Sequence, residues 1–429
     1  AQGKTGAETK LIETQGNGKP VINAVSTAMG PWRAYALTAP EVRRIVYQSC
    51  IGTTPYVAFF SPAFGQPGVE ALRDVCGFVE QHAAIFQNTR SGANVALLCS
   101  TQTTDWYAGT DVPLADLAGI KTTKGAGIGS FTEAFLGFYQ MLVRAGIPFD
   151  VIDEVALETD ESRRYKLMIL PNCACLSDRQ CRILEAHVTN GGGVIADFET
   201  SLYDEQGRRR PDFGLAALFG VQSLNKVRGP HPNDFAFVRR NALPCLAGLH
   251  SELIPGTQYG LHVALVGATA LGVYSKPLIS NLVGRVEPSE DAFLVQNRVG
   301  SGRCFYFPAT FGQAFAEHQV DIYLDIFRSM VCDLVEPPIR MEHAPHVLEV
   351  LLRRQASPAR TIVHLVNLEI QPITGVVPAH GVIITVRCPH PVTRAVALRA
   401  DEALPFIRKG DEVAVTIPVV HEFETVLLE

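Results

Sequence analysis

No apolar run in this 429-residue chain approaches the roughly 20 residues that span a bilayer, so no membrane helix is expected. Neither charge is in strong excess: 37 basic against 43 acidic residues leave a net charge of -6, and Arg208-Arg209-Arg210 is the one basic cluster that stands out. That balance argues against a nucleic-acid partner, and the triplet reads as a solvated loop. Ten cysteines are present without the spacing of a secreted disulfide framework. Cys76, Cys99, Cys181, Cys304 and Cys332 fall in apolar segments, while Cys173 and Cys175 form C-x-C with no His or Cys following at ligand distance. They read as reduced core thiols of a cytoplasmic protein, with no metal and no cofactor expected. An initiator methionine and a hydrophobic signal segment are missing too, so Ala1 is not expected to be the first translated residue.

What is present points to several domains, because a chain of this length exceeds one ordinary core. The most informative stretch is the middle one. Residues 93–99, 149–152, 166–170 and 193–196 are short apolar runs suited to strands buried on both faces. Between them lie helical patterns: Phe131, Phe135, Phe138 and Leu142 share one stripe, and Ser177-Asp178 caps a run carrying Cys181, Leu184 and Val188. Asn190 and Gly191 stop that helix. Strands alternating with helices predict βαβ units and a flavodoxin-like parallel sheet.

Upstream, residues 9–14 look like the tail of a helix, and 19–25 and 55–60 are strands. Thr38-Ala-Pro-Glu opens one helix, with Val42, Ile45 and Val46 on its apolar face, and residues 68–86 form another. Two strands and three helices cannot close a barrel by themselves, because eight strands are needed to remove the open edges. Left alone, this arc would expose strand edges and an apolar face.

The motifs carry a resemblance. Gly30-Pro-Trp32-Arg33-Ala-Tyr35, Phe59-Phe60-Ser-Pro-Ala-Phe-Gly65, VALLCSTQTTDWYAG from Val95, and YKLMILPNCACLSD from Tyr165 with GGGVIADFETSLYDEQGRRRPDFGLAALFG from Gly191 resemble glycoside hydrolase family 42, the β-galactosidase family. The resemblance implies the last two βα units of a (β/α)8 barrel over 1–92, a flavodoxin-like trimerisation domain over 93–338 and a β-sandwich over 339–429. It implies a carbohydrate or glycoside substrate, a homotrimer or other oligomer, and a companion chain or preceding residues carrying the rest of the barrel. The family's two catalytic glutamates follow the fourth and seventh barrel strands, and a retaining mechanism needs them about 5 Å apart. Residues 19–25 correspond to the seventh strand and 55–60 to the eighth, while the fourth is absent. The seventh reads Ile22-Asn23-Ala24-Val25-Ser26, without a carboxylate, so no catalytic residue is assigned. A catalytically inactive scaffold is therefore the alternative.

Substrate contacts are expected at Trp32, Arg33 and Phe60, at the ends of the two barrel strands. Glu199 joins them, since it follows a parallel strand at the edge where open α/β sheets place their crevice, an edge that approaches a neighbour's barrel mouth in trimeric relatives. Glu41 and Glu70 sit in helix starts and read as dipole compensation. The middle domain is also similar to class I glutamine amidotransferases, yet the turn Asp197-Phe-Glu-Thr-Ser has no nucleophilic Cys, and Cys173 and Cys175 follow the wrong strand. Gly125-Ala-Gly-Ile-Gly129 lacks the register and Lys of a phosphate loop and reads as a hinge. Trp106 and Tyr107 are expected to anchor the long loop after them.

Residues 211–261 read as irregular with one short helix at 215–219, and His231 and His250 are too isolated for a metal site. Residues 261–266 and 271–274 are strands, 292–307 a hairpin, and 320–335 a closing helix before Pro337-Pro338. Alternation from Met341 onward predicts an antiparallel sandwich, with His364 and Asn367 on its open face.

Overall fold

A helix start is the first place where local chemistry and structure meet. Thr38 donates from its backbone N–H and its hydroxyl to Glu41 Oε2, at 2.9 and 2.8 Å, and this capping box opens the helix Ala39–Ser49. The computed structural model describes residues 4–29, 32–58, 66–107, 128–231, 234–278, 285–371 and 375–429. Its chain divides into two compact units, one built from residues 1–94, 142–151 and 337–429, the other from 95–141 and 152–336.

In the first unit the strands Ile22–Ser26 and Thr54–Ala58 pair in parallel, Ile22 opposite Thr54 and Ala24 opposite Tyr56. Among the described residues they form a sheet of two strands only. One face carries Asn23 and Val25, both buried. Asn23 donates to Thr9 Oγ1 at 2.8 Å, which ties the sheet to the helix Lys4–Gly16. The opposite face is bare: Ile22 is 70% and Tyr56 65% exposed. Helices on one side and open apolar side chains on the other are the geometry of an arc cut from a (β/α)8 barrel, whose inner face is normally packed with side chains from the remaining strands.

The rest of this unit is an antiparallel sandwich. A four-stranded sheet contains Ile339–Glu342, Ala379–Arg387, Glu412–Val420 and Phe406–Lys409. Facing it is a six-stranded sheet in which Phe423–Leu428, Ala359–Asn367 and Leu348–Ala356 are central and Arg90–Ser91 forms an edge. Val350, Leu352, Val363, Leu365, Val382, Ile384, Val415 and Ile417 fill the space between them. The outer face of the six-stranded sheet is covered as well. Tyr47 of the helix Ala39–Ser49 stacks on Phe423 at 3.8 Å, with Phe78 and Phe86 edge-on or tilted around it. Its hydroxyl bonds His364 Nδ1 at 2.8 Å and Thr425 Oγ1 at 2.6 Å. His364 is therefore buried, not on an open face, because the amino-terminal helices lie where solvent was expected; Asn367 is buried too and donates to the Val377 carbonyl at 2.8 Å.

The second unit holds the parallel strands Val95–Leu98, Leu167–Leu170, Gly193–Asp197 and Gly302–Phe307, adjacent in that order, and Asp150–Ile152 lies next to Val95–Leu98 at the end of the same sheet. Numbered along the chain this is the flavodoxin-like order 2-1-3-4-5. Every residue of Val95–Leu98, Leu167–Leu170 and Gly193–Asp197 is buried, as a sheet covered on both faces requires. The helix Asp178–Thr189 starts at a second capping box, Ser177 with Gln180. Beyond Gly302–Phe307 the sheet continues antiparallel through Pro288–Val299, Thr269–Ser275, Phe235–Val238 and Leu253–Pro255, nine strands in all.

The region 211–261 is thus not irregular. Phe235–Val238 and Leu253–Pro255 extend the main sheet, and Val221–Arg228 pairs with Gly260–Leu265 in a separate ribbon. Their partners are distant in sequence, and a register shift between Ser223 and Lys226 breaks the period-two pattern. All ten cysteines are free thiols; Cys173, Cys175, Cys181 and Cys304 are buried, whereas Cys76 and Cys332 are exposed, on the outer sides of their helices. No helix among the described residues is long and apolar enough to cross a membrane.

Burial, with a contribution from the Arg353 charge, lowers the His364 pKa to about 3. The unfolded imidazole titrates near 6.5, so the unfolded chain binds the extra proton between these values. The contribution is fully present above pH 6.5 and is lost as pH falls toward 3. Thermal denaturation at pH 7 and pH 5 should therefore show a smaller fall in Tm for His364→Gln than for the wild type. An equal fall would remove His364 as the source.

Candidate functional site

Of the four residues expected at a substrate, one has a described side chain. Trp32 and Arg33 lie on the strand Trp32–Ala36, which pairs with Ala28–Met29 in a hairpin directly after the barrel strand Ile22–Ser26. Phe60 lies outside the described residues, as do Gly125 to Gly127 of the glycine-rich stretch.

Glu199 follows the strand Gly193–Asp197 in a tight turn. Phe198 and Ser201 there have positive φ, 47° and 67°, a conformation that side chains rarely adopt without surrounding support. The residue at the apex, Phe198, is fully buried, so the turn presents no nucleophile. Glu199 itself points inward, its side chain 1% exposed. The Tyr107 hydroxyl donates to its Oε2 at 2.5 Å and in turn accepts from the Gly129 N–H at 3.1 Å. The Glu199 N–H donates to Asn172 Oδ1 at 3.2 Å. Among the described residues Oε1 makes no hydrogen bond; it faces the Arg209 guanidinium at 3.7 Å. Burial raises the Glu199 pKa, opposed by the Tyr107 hydrogen bond and the Arg209 charge.

Two further carboxylates occupy the same end of the sheet. Asp197, fully buried, accepts from Asn172 N–H at 2.6 Å and Gly312 N–H at 2.9 Å. Burial lifts its pKa to about 7 against those backbone donors. Glu154 accepts from Ser100 Oγ at 2.5 Å, from Thr101 N–H at 3.1 Å and from Gln102 N–H at 3.2 Å. The N–H groups that open the helices Thr101–Trp106 and Phe311–His318 are therefore satisfied by the protein's own carboxylates. Such N–H groups are the ones that hold phosphate in nucleotide-binding sheets, and at these two helix starts the Thr101, Gln102 and Gly312 N–H groups are already taken.

The thiols nearby are equally committed. Burial pushes Cys175 up to about 12 and Cys173 well above its ordinary value, so neither is a nucleophile at neutral pH. Among the described residues no three His, Cys, Asp or Glu side chains are placed to hold a metal ion. The sequence reading missed Tyr107, Asn172, Asp197 and Glu154 as partners at this edge. It also read the arginine triplet as solvated, which holds for the exposed Arg208 and Arg209 and not for Arg210. Arg210 pairs with Asp178 at 2.6 Å and donates to the Leu176 carbonyl at 2.9 Å. Arg209 lies over the Tyr203 ring and faces Glu199. Tyr107 is buried and bound to Glu199, whereas Trp106 is 55% exposed; the loop they were expected to anchor, 108–127, lies outside the described residues.

A family model described as the β-galactosidase trimerisation domain matches residues 93–326. Among solved structures, the chain is similar to α-L-fucosidase isoenzyme 2 from Paenibacillus thiaminolyticus, at 19% identity and a TM-score of 0.70 over 98% of this chain and 62% of that one. It is similar to the β-galactosidase from Bacillus circulans sp. alkalophilus, at 15% identity and TM-score 0.69 over 99% and 58%. The β-galactosidase from the Antarctic haloarchaeon Halorubrum lacusprofundi follows at 14% identity and TM-score 0.63, over 99% and 55%. At these identities the likeness concerns the fold. The chain spans between 55% and 62% of the length of these solved proteins. No curated protein sequence matches it.

Replacing Tyr107 by Phe takes the hydroxyl away from the buried Glu199 Oε2 and from the Gly129 N–H. Such a loss costs about 1–3 kcal/mol, and denaturant unfolding of Tyr107→Phe should show a decrease of that size. An unchanged midpoint would mean that the hydroxyl is dispensable.

Proposed function

Because the chain belongs to the β-galactosidase trimerisation-domain family, we propose that it is the carboxyl-terminal part of an oligomeric glycoside hydrolase. In this reading residues 1–92 are the last two βα units of a (β/α)8 barrel completed by another chain or by residues that precede them. Residues 93–338 form the oligomerisation domain and 339–429 the accompanying sandwich. The observation that carries the proposal is the one-sided cover of the Ile22–Ser26 and Thr54–Ala58 sheet. Ile22 and Tyr56 lie on a bare face, and apolar side chains on the inner face of such an arc are stable only when other strands pack on them. Trp32, Arg33 and Phe60 would then meet a sugar at the carboxyl ends of the closing strands. Glu199, turned inward with its side chain 1% exposed, is not among these contacts.

A second reading rests on a different observation. Ile22, Ala24 and Ser26 are exposed on the bare face with no carboxylate among them, although this is the strand that carries the nucleophile in the resembling family. A chain lacking that group would serve as an assembly scaffold without hydrolysing a glycoside.

Size-exclusion with intact mass of the native material separates the two. The first reading expects further barrel-forming polypeptide in the particle, protection of Tyr56 from tyrosine-modifying reagents, and hydrolysis of a nitrophenyl β-galactoside. A stable homo-oligomer of this chain alone, with Tyr56 reactive and no hydrolysis, would leave the scaffold.

A further inference from the structure

Three buried residues with left-handed backbone meet at the carboxyl end of the parallel sheet: Asn172 at φ 42°, Phe198 at 47° and Ser201 at 67°. Such conformations persist only where the surroundings over-determine them. One carboxylate does much of that work. Asp197 Oδ1 accepts from the Asn172 N–H at 2.6 Å, and Oδ2 accepts from the Gly312 N–H at 2.9 Å. It thereby joins the turn after Leu167–Leu170, the turn after its own strand and the first turn of the helix Phe311–His318. The two turns are also laced to each other. Ser201 N–H donates to the Cys173 carbonyl at 2.9 Å, and Glu199 N–H to Asn172 Oδ1 at 3.2 Å.

The carboxylate at this junction has no counter-charge. Asp197 is fully buried, and among the described residues no basic side chain faces it. The titratable groups around it are Glu199 on its own turn, Cys173 on the preceding turn and Tyr306 on the neighbouring strand Gly302–Phe307. The helix Phe311–His318 contributes only the backbone N–H groups of Phe311 and Gly312. Glu199, by contrast, has the Arg209 guanidinium in front of it. A buried carboxylate without a cation is readily neutralised by a proton, and burial lifts Asp197 to about 7 against the pull of its backbone donors. Protonation also changes the geometry. Each oxygen already faces an N–H, so a proton turns one acceptor into a hydroxyl and weakens the bond that oxygen accepts.

We propose that Asp197 is a proton-operated latch: ionised, it clamps the Asn172 turn and the helix Phe311–His318 to its own turn, and protonated it releases one of them. The edge at which Asn172, Glu199 and Tyr107 meet then loosens. The test compares the full wild-type chain with Asp197→Asn, whose carboxamide keeps one acceptor and so mimics the protonated form at every pH. In backbone-amide NMR from about pH 5.5 to 8.5, the Asn172 or Gly312 signal of the wild type should shift with a midpoint at about 7. Asp197→Asn should lose that titration. Its persistence in the variant would assign the proton to Glu199 and overturn the latch, as would wild-type signals that stay fixed across the range. Stability gives a second readout. The folded value lies above the unfolded 3.8, so the stabilisation from proton uptake is fully present below 3.8 and lost as pH rises through about 7. The Tm of the wild type relative to Asp197→Asn should therefore fall between pH 6 and pH 8, and a constant difference would count against the latch. Should the variant fail to fold, the wild-type amide titration decides alone.

Discussion

Parallel strands are stable only with cover on both faces, and this requirement organises the molecule. In the α/β unit it is met from within: the central strands are buried along their whole length. In the other unit the same strand type alternates exposed and buried along Ile22–Ser26. The buried half is satisfied by helices that are themselves fixed elsewhere. The exposed half has no partner among the described residues, and the functional reading grows from that asymmetry.

What holds the arc in place is the sandwich, more than 300 residues away in the sequence. Tyr47 reaches from its helix to Phe423, His364 and Thr425. Arg399 grips Asp74 with both terminal nitrogens at 2.8 and 2.7 Å, and Asp74 also accepts from Arg43. Together they bind the amino-terminal helices to the carboxyl-terminal sheet by stacking and by a partly shielded ion network. Isolated surface pairs contribute little, but a network beside stacked rings combines geometry with reduced solvation. The amino- and carboxyl-terminal segments therefore make one compact unit, with the α/β unit inserted between them in the chain.

The edge of the parallel sheet shows how a fold that elsewhere binds ligands can be closed. Glu154 and Asp197 take the helix N–H groups that would hold an anion, and Phe198 fills the apex where a nucleophile would stand. Burying three carboxylates costs solvation, and the raised pKa values of Asp197 and Glu199 express that cost. Backbone donors and Tyr107 offset it.

By itself the sequence determined whatever depends on neighbours along the chain. The capping boxes at Thr38 and Ser177, the buried strands 166–170 and 193–196, the alternating strands after Met341 and the lack of a carboxylate in Ile22–Ser26 were all legible, because caps and periodicity act within a few residues. Tertiary structure alone decided what depends on distant partners. His364 is buried because helices from the other end of the chain cover it, and Val221–Arg228 is a strand because Gly260–Leu265 pairs with it. Glu199 faces inward because Tyr107 and Asn172 arrive from other loops. The physical reason is that burial and cross-strand pairing are properties of approach in space, which side-chain spacing along the chain does not encode.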